Sequence, residues 1–360
     1  MSGGLDSSLN LFYTKKIRSD KVSTINIKFD TSTKGDESHI ARKYSEENNV
    51  NFIHKVLDET EFTSWIKDYL NISKDVPAGD PNTALMFGIS RIARENNYKV
   101  LLVGEGGDEI GGYPIYKKLD YLNKIMKFIP DFLSKWIVNF ASWVPHNNLT
   151  KKIIRVFSVP TYANRFIFGF TEFEKRKFWT KKKKFNSYKT LKKLADEIRD
   201  DLKDSYLRKV LNIEYKLRLP ELLLPRVDYP SMAASIEARS PFMDHKLIEY
   251  SATLPWEIKM ENGPKTILKK ISKNKLPEYI IKAPKVGFGQ LLNPFFEETL
   301  PQWFERDIVK DNKSPIKDYI DQDFLHNLHK KHIKSKLYGF QIWTIFSLNL
   351  WMKKNQQSND

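Results

Sequence analysis

The sequence contains no cysteine among its 360 residues. This absence excludes disulfides, thiolate metal ligands and a cysteine nucleophile from the chain. No stretch approaches the roughly 18 uninterrupted apolar residues of a membrane-spanning helix, and the first residues lack the basic and then apolar pattern of a secretion signal. We therefore expect a cytoplasmic protein with one large domain or two ordinary ones.

Acidic residues are also in deficit, with 44 Asp and Glu against 60 Lys and Arg and a net charge of +16. Such a charge can indicate a nucleic acid or an anionic membrane surface as partner. Here most of the excess lies in lysines scattered among Asn and Ile, not in arginines interleaved with aromatics. This pattern favours a compositional bias, with the lysine run at 181–184 as an alternative contact surface, and we expect no nucleic acid partner.

The chain opens with the segment Ser2-Gly3-Gly4-Leu5-Asp6-Ser7-Ser8. Two adjacent glycines allow a positive-φ turn whose amides point at one spot, and the serines add hydroxyl donors. Residues 8–17 resemble the start of a helix, whose dipole favours an anion at the same place. A carboxylate repels phosphate unless a cation lies between them, so Asp6 indicates magnesium. The alternative interpretation is a simple Gly-Ser turn.

Apolar patterns beyond this loop predict strands at 22–29, 51–57 and 100–103, alternating with helices at 36–48, 59–70 and 83–95. This order predicts an α/β fold with a doubly wound parallel sheet, whose ligand site lies beyond the carboxyl ends of the strands. The continuously apolar stretch 100–103 is typical of a strand buried in a parallel sheet.

That stretch leads directly into residues 104–113, which include five glycines and three acids. Glycines let the backbone approach a ligand closely, and Asp108 can share a magnesium ion with Asp6. Further along, Lys265 and Lys285 each follow a proline at a predicted turn. A lysine in a turn is usually exposed to solvent, but an anion bound by the opening segment would give both lysines a partner.

Residues 114–205 are rich in Lys, Phe and Trp and have apolar side chains at helical spacing. We expect this amphipathic stripe to pack in the core. A membrane-surface helix is the alternative, because lysines flank the aromatics. The stripe comprises Ile125, Phe128, Ile129, Phe132, Leu133, Trp136, Ile137 and Phe140.

These motifs together resemble the synthetase domain of glutamine-dependent asparagine synthetases and the related β-lactam synthetases, and the opening segment resembles the loop of the ATP pyrophosphatases. The resemblance also rests on 75–81, 104–113, 237–244 and 284–289, which occur in the order of the family. It implies an adenine-nucleotide α-hydrolase-like core at 1–113, a helical basic and aromatic insertion at 114–205, and a helical remainder at 206–360.

The resemblance further implies a two-step reaction that uses ATP and Mg²⁺. A carboxylate, in the type enzyme the side chain of aspartate, forms an acyl adenylate with release of pyrophosphate, and ammonia then displaces AMP to give an amide. Glu105 would be the general base for the amine, Lys265 and Lys285 would stabilise pyrophosphate, and Asp6 and Asp108 would bind the metal. The nucleotide-binding residues would be Ser2, Gly3, Gly4, Asp6, Ser7, Ser8, Ile27, Gly104 and Glu105.

The sequence departs from the family pattern at its start. Met1 occupies the place of the last residue of a strand that precedes the loop in the family, so we expect the first strand of the sheet to be missing. The glutaminase domain, with its cysteine nucleophile, also has no counterpart here. Ammonia would therefore be free or come from a separate glutaminase. The alternatives are the same chemistry on another carboxylate, for example a sugar acid in surface-polysaccharide synthesis, or a non-catalytic scaffold.

Overall fold

The computed structural model describes residues 1–18, 22–30, 36–72, 77, 79–144, 148–167, 169–180, 186–202, 205–283 and 292–357. The helices and strands of these ranges are α1 Leu5–Ile17, β1 Ser23–Phe29, α2 Ser38–Glu47, β2 Asn51–Leu57, α3 Glu59–Ile72, α4 Asn82–Glu95, β3 Val100–Leu102, α5 Gly107–Gly111, α6 Pro114–Met126, α7 Asp131–Trp143, α8 Asn148–Ser158, α9 Glu172–Phe178, α10 Tyr188–Asp196, α11 Ser205–Ile213, α12 Leu224–Ala233, β4 Glu237–Arg239, α13 His245–Thr253, α14 Trp256–Met260, α15 Thr266–Ser272, α16 Glu278–Ile281, α17 Asn293–Glu297, α18 Thr299–Phe304, α19 Gln322–Ser335 and α20 Gly339–Gln357. Short 3₁₀ segments lie at Thr161–Phe166, Pro241–Met243 and Pro315–Asp318, and wider π-helical turns at Glu214–Leu223 and Glu305–Val309.

The strands pair in parallel, as the alternation of strands and helices predicts. β1 pairs with β2 from Ser23 opposite Asn51 to Phe29 opposite Leu57. β3 pairs with β4, with Leu101 opposite Ala238 at the centre. The mixed α/β class is therefore confirmed. Within the described ranges, however, the strands form two separate pairs and do not join into the predicted doubly wound sheet.

β3 differs from the sequence prediction in its burial. Val100 is 42% exposed and Leu102 is 41% exposed, so the prediction of a strand buried in a parallel sheet is wrong for this element. The reason is that β3, among the described residues, has β4 as its single strand neighbour. Met1 lies beside the other pair, where its nitrogen donates to the carbonyl oxygen of Ile25 and its carbonyl oxygen accepts from the Asn26 side chain at 2.9 Å.

The chain forms two compact units, and each is discontinuous in sequence. The first unit comprises Met1–Ile72, Asp80–Pro114 and Glu221–Asn293. The second comprises Ser73–Gly79, Ile115–Pro220 and Pro294–Asp360.

The core of the first unit joins elements that are far apart in sequence. Leu9 of α1, Ile110 of α5 and Leu268 of α15 are all at most 5% exposed and belong to one apolar cluster, together with Tyr44 of α2 and Phe242. Burial of each such side chain contributes about 1.5–3 kcal/mol. This shared packing fixes the N-terminal ends of α1, α5 and α15 close to one another.

The second unit is helical and rich in buried aromatic side chains. Phe295 packs edge-to-face against Trp303 and Trp343, with ring centroids 5.6 and 6.0 Å apart. A separate small cluster joins α7 to α8 through Val138, Ala141 and Ile154. No helix in the described part of the chain has the length and apolar character needed to cross a membrane.

The amphipathic stripe of α6 and α7 does not pack as the sequence predicts. Phe128, Phe132, Trp136 and Phe140 are 62–87% exposed, so the expectation of core packing is wrong for these four residues. The physical reason is that α7 buries its opposite side, with small residues such as Ala141, against α8.

Candidate active site

Lys265 joins two carboxylates that the sequence places far apart. Its ammonium forms ion pairs with Asp6 in the first turn of α1 and with Asp108 in the first turn of α5, the latter at 2.9 Å from Nζ to Oδ1. The lysine is only 7% exposed, whereas a lysine in a turn is usually solvated. We call these three residues the Lys265 cluster.

The charge of Lys265 is maintained by its neighbours. Burial by itself lowers the pKa of the ammonium, but the attraction of Asp6 and Asp108 and their hydrogen bonds outweigh burial, so the pKa of Lys265 is raised above 10.5. The lysine is therefore protonated at neutral pH and balances one of the two negative charges.

The backbone at Lys265 is also unusual. Its φ of 57° and ψ of 30° lie in the left-handed region, which a non-glycine residue rarely adopts. Its amide donates to the carbonyl oxygen of Gly111 at 2.9 Å, so the last turn of α5 is attached to the start of α15. Lys265 thus caps the N-terminus of α15, with its side chain on the two aspartates.

The glycine-rich segment 104–113 lets the backbone approach Asp6 closely. A Cβ at Gly107 would lie 2.7 Å from Cγ of Asp6, and one at Gly104 would lie 3.0 Å from its Cβ. Gly106 has a φ of 89° and lies against the side chain of Met243. Glycine at 104 and 107 therefore makes room for the Asp6 carboxylate.

The opening loop forms a compact ring of hydrogen bonds before α1. The Ser2 and Ser7 hydroxyls are 3.1 Å apart, the amide of Gly4 donates to the Ser2 hydroxyl at 3.2 Å, and the Ser8 hydroxyl donates to the Gly4 carbonyl oxygen at 2.9 Å. Gly3 has a φ of 85°, as the predicted turn requires. The serine hydroxyls and the start of the α1 dipole are thus gathered at one place.

Glu105 is held by an arginine that the sequence analysis did not single out. Arg226 of α12 donates from Nη2 to Glu105 at 2.9 Å and from Nη1 to Asp80 at 3.0 Å. Burial opposes the charge of this guanidinium, but the two carboxylates outweigh burial and raise its pKa. The Ser240 hydroxyl donates to the backbone carbonyl oxygen of Glu105, so the residue is held at both its backbone and its side chain.

The predicted nucleotide contacts of two residues stay predictions. Ile27 is buried in β1, opposite Lys55 of β2. Gly104 lies against Asp6, and its predicted contact with adenosine stays a prediction. Lys285 lies outside the described residues. The roles that the resemblance assigns to the other residues also stay predictions.

The donor set of the Lys265 cluster fits a magnesium ion. Magnesium is usually held by one or two carboxylates together with substrate phosphates and waters. Asp6 and Asp108 already direct oxygens to one cation, the ammonium of Lys265. In the described ranges no group of three or more His, Cys, Asp or Glu side chains is placed to hold a metal ion by itself. The pair therefore suits a metal that arrives with a phosphate ligand and not one enclosed by protein.

One sequence signal for the Arg226 contacts was present. Asp80 lies within the segment 75–81 that carries the resemblance, whereas Arg226 lies outside the quoted segments, 146 positions further along the chain. Local spacing does not reveal the partner of Arg226 on α12, because only the tertiary fold brings it next to Asp80.

Comparison with known proteins gives a consistent result. The asparagine synthase family profile matches residues 1–353. The chain is 26% identical to glutamine-hydrolyzing asparagine synthetase 1 of Bacillus subtilis over 361 residues, which cover 99% of this chain and 55% of that protein. It is 39% identical to asparagine synthetase 3 of the same organism over 84 residues, 23% of this chain and 14% of that protein. A fungal protein of Gibberella zeae, amidase chry2, is 24% identical over 312 residues, 74% of this chain and 44% of that protein. The chain thus spans about half the length of the curated relatives that it matches along most of its sequence.

Proposed function

Because the chain belongs to the asparagine synthase family, we propose that it amidates a carboxylate in an ATP-dependent reaction, with aspartate as the substrate and asparagine as the product. The observation that carries the proposal is the convergence of Asp6, Asp108 and Lys265 beside the opening loop. This arrangement combines hydroxyl donors, a buried cation and two possible metal ligands at one place, which is what a triphosphate needs.

In the proposed first step, a substrate carboxylate oxygen attacks the α-phosphorus of ATP, and the bond between that phosphorus and the bridging oxygen of pyrophosphate breaks. The hydroxyls of Ser2 and Ser7 and the N-terminus of α1 would bind the departing pyrophosphate. Lys265 would supply positive charge to the same oxygens. Magnesium held by Asp6 and Asp108 supplies charge neutralisation when bound.

In the second step, ammonia attacks the acyl carbon of the adenylate, and the bond from that carbon to the phosphate oxygen breaks, so AMP leaves. The attacking nitrogen loses a proton, which Glu105 would accept. Arg226 would hold the Glu105 carboxylate in position through its 2.9 Å hydrogen bond. Ammonia would come from solution or from a glutaminase, since these 360 residues contain no cysteine to act as the nucleophile that releases it from glutamine.

The test measures pyrophosphate release from ATP and Mg²⁺, with aspartate and ammonium each present or omitted. We expect release to require aspartate and to fall roughly a hundredfold or more in Asp6→Ala, which removes a group that acts on transition-state charge. The matched control is Asp68→Ala in the same unit. Asp68 pairs with Arg91 at 2.9 Å but is 45% exposed, so its loss should leave the rate unchanged.

The identity of the carboxylate is tested in the same assay by replacing aspartate with glutamate and with a uronic acid. If pyrophosphate release depends on one of these carboxylates and is lost in Asp6→Ala, the proposed reaction type stands and that carboxylate replaces aspartate as the substrate. Absence of release with every carboxylate would contradict the proposed function and favour a scaffold.

A further inference from the structure

The second unit has an exposed aromatic face on α7. Phe132, Trp136, Phe140 and Trp143 are separated by four, four and three positions, so they lie along one side of the helix. They are 62–89% exposed, and the rings of Trp136 and Phe140 stack with centroids 5.7 Å apart. We call these four residues the α7 aromatic face.

The preceding helix and the turn after it continue the pattern. Tyr121 and Ile125 lie on α6 and Phe128 lies just beyond its end; they are spaced by four and three positions and are 68%, 41% and 87% exposed. Single exposed apolar side chains are ordinary, whereas a concentration of large aromatic side chains indicates a surface that contacts something other than water. α6, α7 and the turn between them therefore leave these apolar side chains exposed to solvent.

The charges around this surface are strongly biased. Residues 114–152 contain seven lysines and two aspartates, with no arginine or glutamate. Lys127 and Lys135, which directly precede Phe128 and Trp136, are both exposed. Lysine is depleted in protein–protein interfaces, whereas aromatic side chains with surrounding lysines are typical of helices that lie on anionic membranes.

We propose that the α7 aromatic face, with the lysines beside it, binds the surface of an anionic phospholipid membrane. α7 has 13 residues and would span about 20 Å, too short for the roughly 30 Å hydrocarbon layer. The helix therefore lies in the headgroup region with its aromatic rings inserted, and the lysines contact the lipid phosphates. This binding is independent of the reaction at the Lys265 cluster.

The experiment is flotation of the full chain with vesicles of phosphatidylcholine alone and with vesicles that also contain phosphatidylglycerol. We expect the chain to float with the anionic vesicles and roughly tenfold less with the neutral ones. Tryptophan emission should shift to shorter wavelength in the anionic case, because Trp136 and Trp143 leave water. Added salt should weaken the binding.

Two variants separate the contributions of aromatic rings and charge. The face variant carries Phe132→Ser, Trp136→Ser, Phe140→Ser and Trp143→Ser, and the charge variant carries Lys118→Glu, Lys127→Glu and Lys135→Glu. We expect each to lose at least about tenfold in vesicle binding. All the replaced side chains are exposed, so far-UV circular dichroism should remain unchanged.

Matched controls use exposed residues elsewhere. Lys330→Glu, Lys331→Glu and Lys334→Glu on α19 change the net charge by the same amount, and Ile17→Ser with Tyr250→Ser removes apolar side chains that are 80% and 65% exposed. Both controls should float like the unmodified chain. Equal loss in the α19 control would mean that net charge alone drives binding and would overturn the proposal.

Two further results would also overturn the proposal. One is the absence of flotation with either vesicle. The other is a dimer that light scattering detects in the unmodified chain and that the face variant disrupts, without vesicle binding. That result would show the α7 aromatic face to be an interface between copies of the chain.

Discussion

Replacing Lys265 by asparagine should lower the free energy of unfolding by about 3 kcal/mol. At the 2.9 Å separation from Asp108, attraction between two unit charges is about 6 kcal/mol at an effective dielectric constant of 20. Part of this is offset by the desolvation of the ammonium. Removing one partner of a buried ion pair costs about 3–5 kcal/mol. The lower value applies here because the side chains of Asp6 and Asp108 are still 19% and 25% exposed to solvent.

Asparagine is chosen because it tolerates the left-handed backbone of Lys265, so the variant removes the charge without adding strain. The matched control is Lys336→Asn. Lys336 also has a left-handed φ, of 58°, but its side chain is exposed. The control should change the free energy of unfolding by less than about 0.5 kcal/mol.

The pH dependence gives an independent check. The pKa of Lys265 is raised above 10.5, so its stabilising contribution is complete below that pH and is lost only as pH rises through the folded value. The full loss of unfolding free energy in Lys265→Asn should therefore be present at pH 7.

The assay is urea unfolding followed by far-UV circular dichroism, with and without MgCl₂. Magnesium should stabilise Lys265→Asn more than the unmodified chain, because the ion can occupy the place between the carboxylates that the ammonium vacates. A loss of unfolding free energy no larger than that of Lys336→Asn, or one that disappears between pH 7 and pH 9, would refute the reasoning.

Three other changes test the neighbouring contacts and the second unit. Arg226→Gln should lower kcat/KM for ammonium roughly tenfold or more while leaving KM for ATP nearly unchanged, because it releases Glu105; initial rates of pyrophosphate release measure both. Gly107→Ala should destabilise the first unit by about 1–3 kcal/mol and reduce activity, since the new Cβ would lie 2.7 Å from Cγ of Asp6; urea unfolding measures the loss. His332 is buried, and burial lowers its pKa below 6.5, so the unfolded state binds more protons and stability should fall as pH drops below 6.5, by up to about 1.4 kcal/mol per unit; His332→Gln should flatten this dependence in unfolding measured from pH 7 to 5.

Two of these changes have a control variant, and the third has an outcome that would contradict it. Arg91→Gln breaks an Arg–Asp pair that is about half exposed and should leave the rate unaltered. Gly79→Ala adds a Cβ with no atom within 4 Å and should be neutral. For His332, an unchanged pH dependence in the glutamine variant would show that other groups titrate in this range.

The sequence predicted the local elements of the first unit well. The predicted strands at 22–29 and 51–57 correspond to Ser23–Phe29 and Asn51–Leu57, because alternating apolar residues and flanking polar residues report directly on local structure. The α/β class follows from the same alternation.

Burial was less predictable. An apolar run such as 100–103 indicates a strand but not how many neighbours it has, and β3 is half exposed as a result. Similarly, the spacing of aromatic residues on α7 shows that one side is apolar, but not which side faces the core. The small residues Ser134 and Ala141, which carry little hydrophobic signal, are the ones that pack.

The Lys265 cluster was predicted in part. Asp6, Asp108 and Lys265 were each identified as charge-bearing residues of one site, but direct pairing of the lysine with both aspartates was not. The roles of Asp80 and Arg226 were missed, because partners 146 positions apart leave no periodic signal. Such contacts depend on tertiary packing, which one sequence does not reveal.

The discontinuity of both units affects how the protein folds during synthesis. Val100 of β3 pairs with Glu237, so at about 5–20 residues per second this strand waits roughly 7–27 s on the ribosome for its partner. In the second unit, the bridge between Trp179 and Ile320 forms only after residues of the first unit have been made. Neither unit can be completed in order along the chain, so the surfaces that these partners cover stay exposed until the partners are made, and slower synthesis should increase the dependence on chaperones.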